Sequence, residues 1–258
     1  WRIVDRFSSD PLYAADDGSV SYLMRSRRAL FLECAASAER AWQPSSHGRV
    51  QSTMVWAAAA NTIPAALWTA YWLARCEEAR SRVAREIERK LATEPDVPAA
   101  LADEGAFPAL DAAISEALRL STASLTIRRV VVDDFELPTA SPLKLRLRDR
   151  VALYPPLLHF DEGRVGARPM EFEAERYLRR PETPLMPFGG GISLCPGRKF
   201  ARREIKAFVI HLLSRYDISL DDPAARVPEP DKTRVGLGIV GPAPGQDVSA
   251  TFTPRSSG

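Results

Sequence analysis

The sequence predicts a mainly α-helical fold with a small β-sheet, and a few stretches carry that prediction. The uncharged run "MVWAAAANTIPAALWTAYWLA" (54–74) leads into a charged amphipathic stretch that begins "CEEARSRVAREIERKL" (76–92). Near the C-terminus, "GRKFARREIKAFVIHLLSRY" (197–216) repeats its apolar residues at helical spacing. By contrast, only "SLTIRRVVVDDFEL" and "LKLRLRDRVALYP" show alternation with β-branched enrichment, so they read as strands.

In order along the chain, residues 1–20 read as irregular and 21–42 as helical, and "QPSSHG" (43–48) reads as a break. Residues 54–74 are long and apolar enough to span a bilayer, with aromatics toward the C-terminal end. Asn61, Thr62 and Pro64 sit near the middle, where a polar group or a lost hydrogen bond is costly in lipid. The other reading is a helix at the centre of a large core. The charged helix over 76–92 has many i,i+4 pairs, and a further helix is expected over 107–121. Two strand segments follow, then irregular chain over 155–187. The helix over 197–216 is expected to bury Ala201, Ile205, Phe208, Val209, Leu212, Leu213 and Tyr216. Short strands near 216–220 and 248–253 close the chain, and there is no internal repeat or low-complexity segment.

The 258 residues, 45% hydrophobic and 26% charged, have ordinary globular composition and can bury one large core or two small ones. A net charge of +2 gives no reason to expect nucleic acid as a partner. Cys34, Cys76 and Cys195 form no CxxC pair, and His47, His159 and His211 show no metal-ligand spacing, so neither a disulfide framework nor a zinc site is indicated. The opening "WRIVDRFSSD" has no initiator methionine and no apolar signal core, which fits a fragment.

The chemistry concentrates in "PFGGGISLCPGRKFARREI" (187–205). Cys195 stands at the mouth of a helix, where negative charge, and so a thiolate, is favoured. Gly189, Gly190, Gly191 and Gly197 permit turns a Cβ would resist and leave room for a large flat group. The bland alternative is a buried free cysteine in a glycine turn. A cysteine nucleophile would need a histidine base, and none is near in sequence.

Phe188, Gly191, Cys195 and Gly197 fit F-x-x-G-x-x-x-C-x-G, which resembles the heme-binding loop of the cytochrome P-450 family. The resemblance covers about residues 20–258 and implies the C-terminal half of that fold as a single partial domain, with the N-terminal half absent. It implies heme b with Cys195 as the axial thiolate, whose electron donation favours O–O cleavage. One departure is Ser193, where the family usually places an Arg or His against a heme propionate.

Glu116 and Arg119 form an E-x-x-R pair flanked by Ile114, Ala117, Leu118 and Leu120. The same spacing recurs at Glu77/Arg80, Glu86/Arg89 and Glu173/Arg176, where the ordinary meaning is a surface ion pair worth a few tenths of a kcal/mol. The family resemblance, carried further by "RPMEFEAERYL" (168–178), implies that Arg176 joins Glu116 and Arg119 in a structural brace.

By the same resemblance, "AAAANTIPAAL" (57–67) is the distal helix. Most of the family has an acid then a threonine there, a pair that relays protons to dioxygen. Here those positions read Ala60 and Asn61, with Thr62 next, and Pro64 is expected to kink the helix. This version resembles the branch that holds cholesterol 7-alpha-hydroxylase, sterol 12-alpha-hydroxylase and prostacyclin synthase. "LRLSTASLTIRR" and "TRVGLGIVGP" resemble that branch's pocket segments and make Ala123, Ser124, Leu125, Leu237 and Gly238 candidate substrate contacts or simply turn residues. Arg198, Lys199, Arg202, Arg203 and Lys206 are either a solvated helix face or a docking face for an acidic redox partner.

The implied activity is monooxygenation of a sterol-like or other lipophilic substrate, using O2 and electrons from an NADPH-dependent reductase or a ferredoxin. The alternatives are a heme-thiolate isomerase of a lipid peroxide and a truncated product without catalysis. Likeness to eukaryotic members would place the protein at the endoplasmic reticulum membrane, although no anchor is read in this chain.

Overall fold

The computed structural model describes positions 26, 29, 30, 33 and 36 and residues 44–255, apart from 133, 134, 138, 140, 235 and 237. The irregular start expected over 1–20 lies outside the described residues, and the described positions within 21–42 are helical. The chain forms two compact units, residues 1–60 and 61–258.

In the first unit, α1 (Pro44–Ala60) begins inside the stretch expected to be a break. Proline at the first helical position has no N–H to lose and a φ already suited to the helix, so "PSSHG" is taken into the helix instead of interrupting it. Met54, Val55 and Trp56 on this helix are exposed.

The second unit opens with α2 (Thr62–Arg75). The uncharged run is therefore two helices, not one: Asn61 lies in a turn between α1 and α2, and Pro64 falls in the first turn of α2, where its missing N–H would have no partner. The kink expected at the proline is a break three residues before it. Among the described residues, no helix is long and apolar enough to cross a membrane.

Next come α3 (Glu77–Thr93), the single turn α4 (Val97–Ala100) and α5 (Pro108–Ser121). The apolar residues of α5 cover its whole circumference, and it is buried from Ala112 to Arg119 without interruption. It packs on α2, α3 and the C-terminal helix α9 (Arg198–Arg215). The core between them joins Trp68 and Leu73 with Ile87, Leu110, Ile114 and Ile210. Trp72 also stacks on Phe172, with ring centroids 5.3 Å apart.

On α9 the buried stripe is Ile205, Lys206, Val209, Ile210 and Leu213. Phe208 and Tyr216, expected inside, are exposed, while Ala201 and Leu212 are half-buried. The stripe follows i, i+4, i+8 from Ile205 and leaves Phe208 on its edge. Tyr216 leaves the helix to begin a strand, where its ring meets Phe252 edge-on at 6.3 Å.

The expected sheet is three separate antiparallel pairs: β1 (Thr126–Arg129) with β4 (Arg150–Leu153), β2 (Phe135–Leu137) with β3 (Leu143–Leu145), and β5 (Tyr216–Leu220) with β6 (Ala250–Pro254). The first two continue one another along a single hairpin, since Arg148 N–H reaches Val130 O and Val130 N–H reaches Asp149 O, both at 2.9 Å. The segment expected to be irregular holds three single-turn helices, α6 (Pro156–His159), α7 (Glu162–Val165) and α8 (Arg176–Arg179). Proline starts α6 and Gly166, at φ +90°, ends α7, so neither extends.

Candidate active site

The helix α5 carries Glu116 and Arg119, both fully buried. Arg119 grips the carboxylate with two parallel bonds, Nε to Oε2 at 2.8 Å and Nη2 to Oε1 at 2.7 Å. Its remaining donors reach the carbonyls of His159 (2.7 Å), Pro169 (2.6 Å) and Glu171 (3.3 Å). Arg176 arrives from the start of α8, giving Nε to Glu116 Oε1 at 3.1 Å and Nη1 to Val165 O at 2.6 Å. A buried ion pair is tolerated when its leftover donors and acceptors are bonded, and here the carbonyls of an irregular segment supply those bonds. The structure thus brings Glu116, Arg119 and Arg176 together, and through them straps residues 159–176 onto α5.

The other copies of the spacing behave in three different ways. Glu173 pairs with Arg176 at 3.2 Å and so enlarges the same network. Arg80 ignores Glu77 and gives its guanidinium to the carbonyls of Leu73 and Ala74 at the end of α2. Glu86 is not the surface partner of Arg89. It is buried, and its two oxygens accept the N–H groups of Ala109 (2.8 Å) and Leu110 (3.0 Å), capping the start of α5. Burial pushes its carboxyl upward against those two bonds.

His159 is the residue that sequence reasoning missed. Its ring is fully buried, and Nε2 accepts the Met186 N–H at 2.8 Å, just before the cysteine loop. The proton of the neutral ring therefore sits on Nδ1, which meets no partner among the described residues. Burial, and then the Arg119 charge, push its pKa down from 6.5 to about 4. No local pattern marks it. Its importance comes from position, with the brace on its carbonyl and the loop on its ring.

In the loop, Cys195 N–H donates to Phe188 O at 3.0 Å, closing a turn that contains Gly189 (φ +72°) and Gly191 (φ +60°). Gly197 caps α9, and a Cβ on it would stand 3.9 Å from Cys195 Sγ. The cysteine is a free, half-buried thiol. The ring of Phe188 lies 6.0 Å from the Arg202 guanidinium. In the same loop and the first turn of α9, Ile192, Leu194 and Phe200 expose apolar surface, and a Cβ on Gly191 would meet nothing within 4 Å. A lone soft donor beside an open, Cβ-free apolar face fits a flat group that brings its own remaining metal ligands, as heme does. Among the described residues, no cluster of three His, Cys, Asp or Glu side chains offers a metal site instead.

At the start of α2, Asn61 Oδ1 accepts the Ile239 N–H at 2.8 Å, and further along the helix Trp68 Nε1 donates to Val240 O at 2.7 Å. The same turn is laced to the segment after α5: Ala123 N–H reaches Gly238 O at 2.8 Å, and Gly236 N–H reaches Ala123 O at 2.7 Å. Asn61, Ala123, Ser124 and Gly238 are thereby assembled in one place, with Thr62 adjacent to Asn61 and half-buried. Leu125 is exposed, and Leu237 lies outside the described residues.

The five basic residues do not share one open face. Lys206 is buried, with Nζ 2.6 Å from Asp111 Oδ2, and Arg202 reaches Ser115 Oγ at 3.0 Å, so both tie α9 to α5. Arg198 turns to the Cys195 carbonyl at 3.3 Å. Lys199 and Arg203 stay exposed and converge on Glu104 at 3.0 and 3.5 Å.

Residues 49–248 match the family model described as cytochrome P-450. The chain is 34% identical to cytochrome P-450 7A1 of Oryctolagus cuniculus, covering 93% of this chain and 51% of that protein. It is 36% identical to the cholesterol 7-alpha-monooxygenase of Cricetulus griseus over 73% of this chain and 42% of that one. It is also 33% identical to the 5-beta-cholestane-3-alpha,7-alpha-diol 12-alpha-hydroxylase of Sus scrofa, over 80% and 45%. The chain thus spans about half the length, or less, of these curated relatives. Among solved structures, a crystal structure of a cytochrome P-450 superposes with a TM-score of 0.74 at 19% identity, over 98% of this chain and 55% of that one. A zebra fish cytochrome P-450 with abiraterone gives 0.70 at 23% identity, over 98% and 59%.

Proposed function

The chain belongs to the cytochrome P-450 family, and we propose that it is the heme-ligating part of a monooxygenase acting on a sterol-like lipophile, with Cys195 as the axial ligand. The observation that carries this reading is the free thiol of Cys195, whose backbone N–H is held by the Phe188 carbonyl in a glycine-rich turn at the mouth of α9. Heme bound there supplies the activation of O2, and a thiolate ligand favours O–O cleavage. Electrons would come from an NADPH-dependent reductase or a ferredoxin.

The chain's own residues do the rest by holding positions. The Phe188 carbonyl holds the Cys195 N–H, and Gly191 and Gly197 leave the chain on either side of the cysteine without a Cβ. The Glu116–Arg119–Arg176 brace holds residues 159–176 on α5, and His159 passes that restraint to Met186 at the loop's entrance. Asn61 and Thr62 are the polar groups of the distal side, where Ala60 offers no carboxyl to relay a proton. The names of the relatives, hydroxylases of cholesterol and its derivatives, support a sterol-like substrate.

The test is to load the chain with heme, reduce it, add carbon monoxide and record the Soret band. A long-wavelength thiolate–CO band that C195S abolishes is expected. Its absence from the unsubstituted chain, or its survival in C195S, sinks the assignment.

A further inference from the structure

Asn61 has a partner that leaves its orientation no freedom. A backbone N–H only donates, so the amide atom facing Ile239 is Oδ1, and Nδ2 lies on the other edge of the planar group. Among the described residues Nδ2 donates to nothing. Gly238 keeps the space this arrangement needs. At its φ of +105°, a Cβ would press on Oδ1 and stand 3.1 Å from Cγ. The turn cannot easily yield, because Trp68 holds Val240 O on one side and Ala123 holds Gly238 O on the other.

We propose that Gly238 and Ile239 are positioning residues for Asn61. The turn occupies the amide's acceptor and presents its N–H groups, which makes Asn61 a fixed donor to an acceptor oxygen on the bound lipophile. This rests on the lipophile-binding reading above, and it changes Gly238 from a ligand contact into a support. An acid at position 61 would present the opposite polarity from the same place.

The test pairs two measurements on the heme-loaded chain. Equilibrium dialysis compares radiolabelled 5α-cholestan-3-one with the carbonyl-free 5α-cholestane. Hydrogen–deuterium exchange follows the Ile239 amide without any ligand. N61D keeps an acceptor for Ile239 but removes the donor, whereas N61A removes both. The preference for the ketone is expected to fall roughly three- to tenfold in N61D, N61A and G238A, the worth of one hydrogen bond. G238A/N61A should lose no more than either single variant. Ile239 should stay protected in N61D and exchange faster in N61A and G238A. A ketone preference that survives in N61D or in folded G238A overturns the proposal, as does Ile239 exchange that N61A leaves unchanged. If G238A does not fold, N61D and N61A decide, because they separate donor from lock without altering the turn. If neither probe binds, the lipophile reading fails, and the exchange data alone decide the lock.

Discussion

The imidazole of His159 accepts the backbone N–H of Met186 at 2.8 Å while its own carbonyl receives Arg119 at 2.7 Å. One residue therefore joins the buried ion network to the entrance of the cysteine loop. The joint works only with a neutral ring, since a protonated Nε2 cannot accept.

That requirement sets a pH dependence. The folded ring titrates near 4 against an ordinary value of 6.5, so between those limits the unfolded chain binds the proton first. The His159 contribution to stability is then complete above about pH 6.5 and is lost as pH falls toward 4. The two values imply a loss of about 3 kcal/mol by the lower limit. Urea midpoints measured from pH 7 to 4 should fall more steeply for the wild type than for H159Q, which keeps an acceptor that does not titrate. Parallel curves would contradict this.

Breaking the brace should be costly out of proportion to its size. E116A leaves two guanidinium groups buried without their carboxylate, and about 3–5 kcal/mol of stability is expected to go. R119K should recover little of the loss seen in R119A, because an ammonium cannot span two carboxylate oxygens and three carbonyls. Denaturant unfolding of the three variants is the check.

Glu86 offers a direct contrast between a cap and a surface pair. As the cap of α5, its replacement in E86A should cost about 1–2 kcal/mol. R89A, by contrast, should stay within about 0.5 kcal/mol of wild type. Equal small effects would mean the two N–H groups find other partners.

Lys206 and Lys199 should separate in the same way. K206M leaves Asp111 with one distant arginine and is expected to destabilise by about 1–3 kcal/mol, whereas K199M on the exposed rim should change little. Thermal unfolding at low and at moderate salt distinguishes the cases, since only the exposed pair is screened.

The glycine turn around Cys195 and the buried Glu116–Arg119 pair were legible because glycines mark a turn locally and an apolar flank separates a buried pair from a solvated one. The same test failed at Glu86, whose helix is charged overall yet turns Val83, Glu86 and Ile87 inward. Composition cannot show that a carboxylate will meet two orphaned N–H groups from a helix 22 residues further on, which is a tertiary fact. The role of His159 was missed and Lys206 was wrongly placed on a solvated or docking face for the same reason, each being defined by partners far away in sequence. The edges of the α9 stripe were misjudged because Ile210 and Phe208 are similarly apolar, and which of them is covered depends on the elements packed against α9.

The enclosure of α5 on all sides also bears on how this chain opens. Amides from Ala112 to Leu118 sit in fully covered helix, while the β2–β3 arm shows Phe135 and Leu143 to solvent. Opening free energies follow such differences, so a protease should nick the hairpin arm first and spare the central helix until the whole unit melts. The fragment that survives limited digestion would then still hold Glu116, Arg119 and Glu86, a resistant kernel that outlasts the parts it organises.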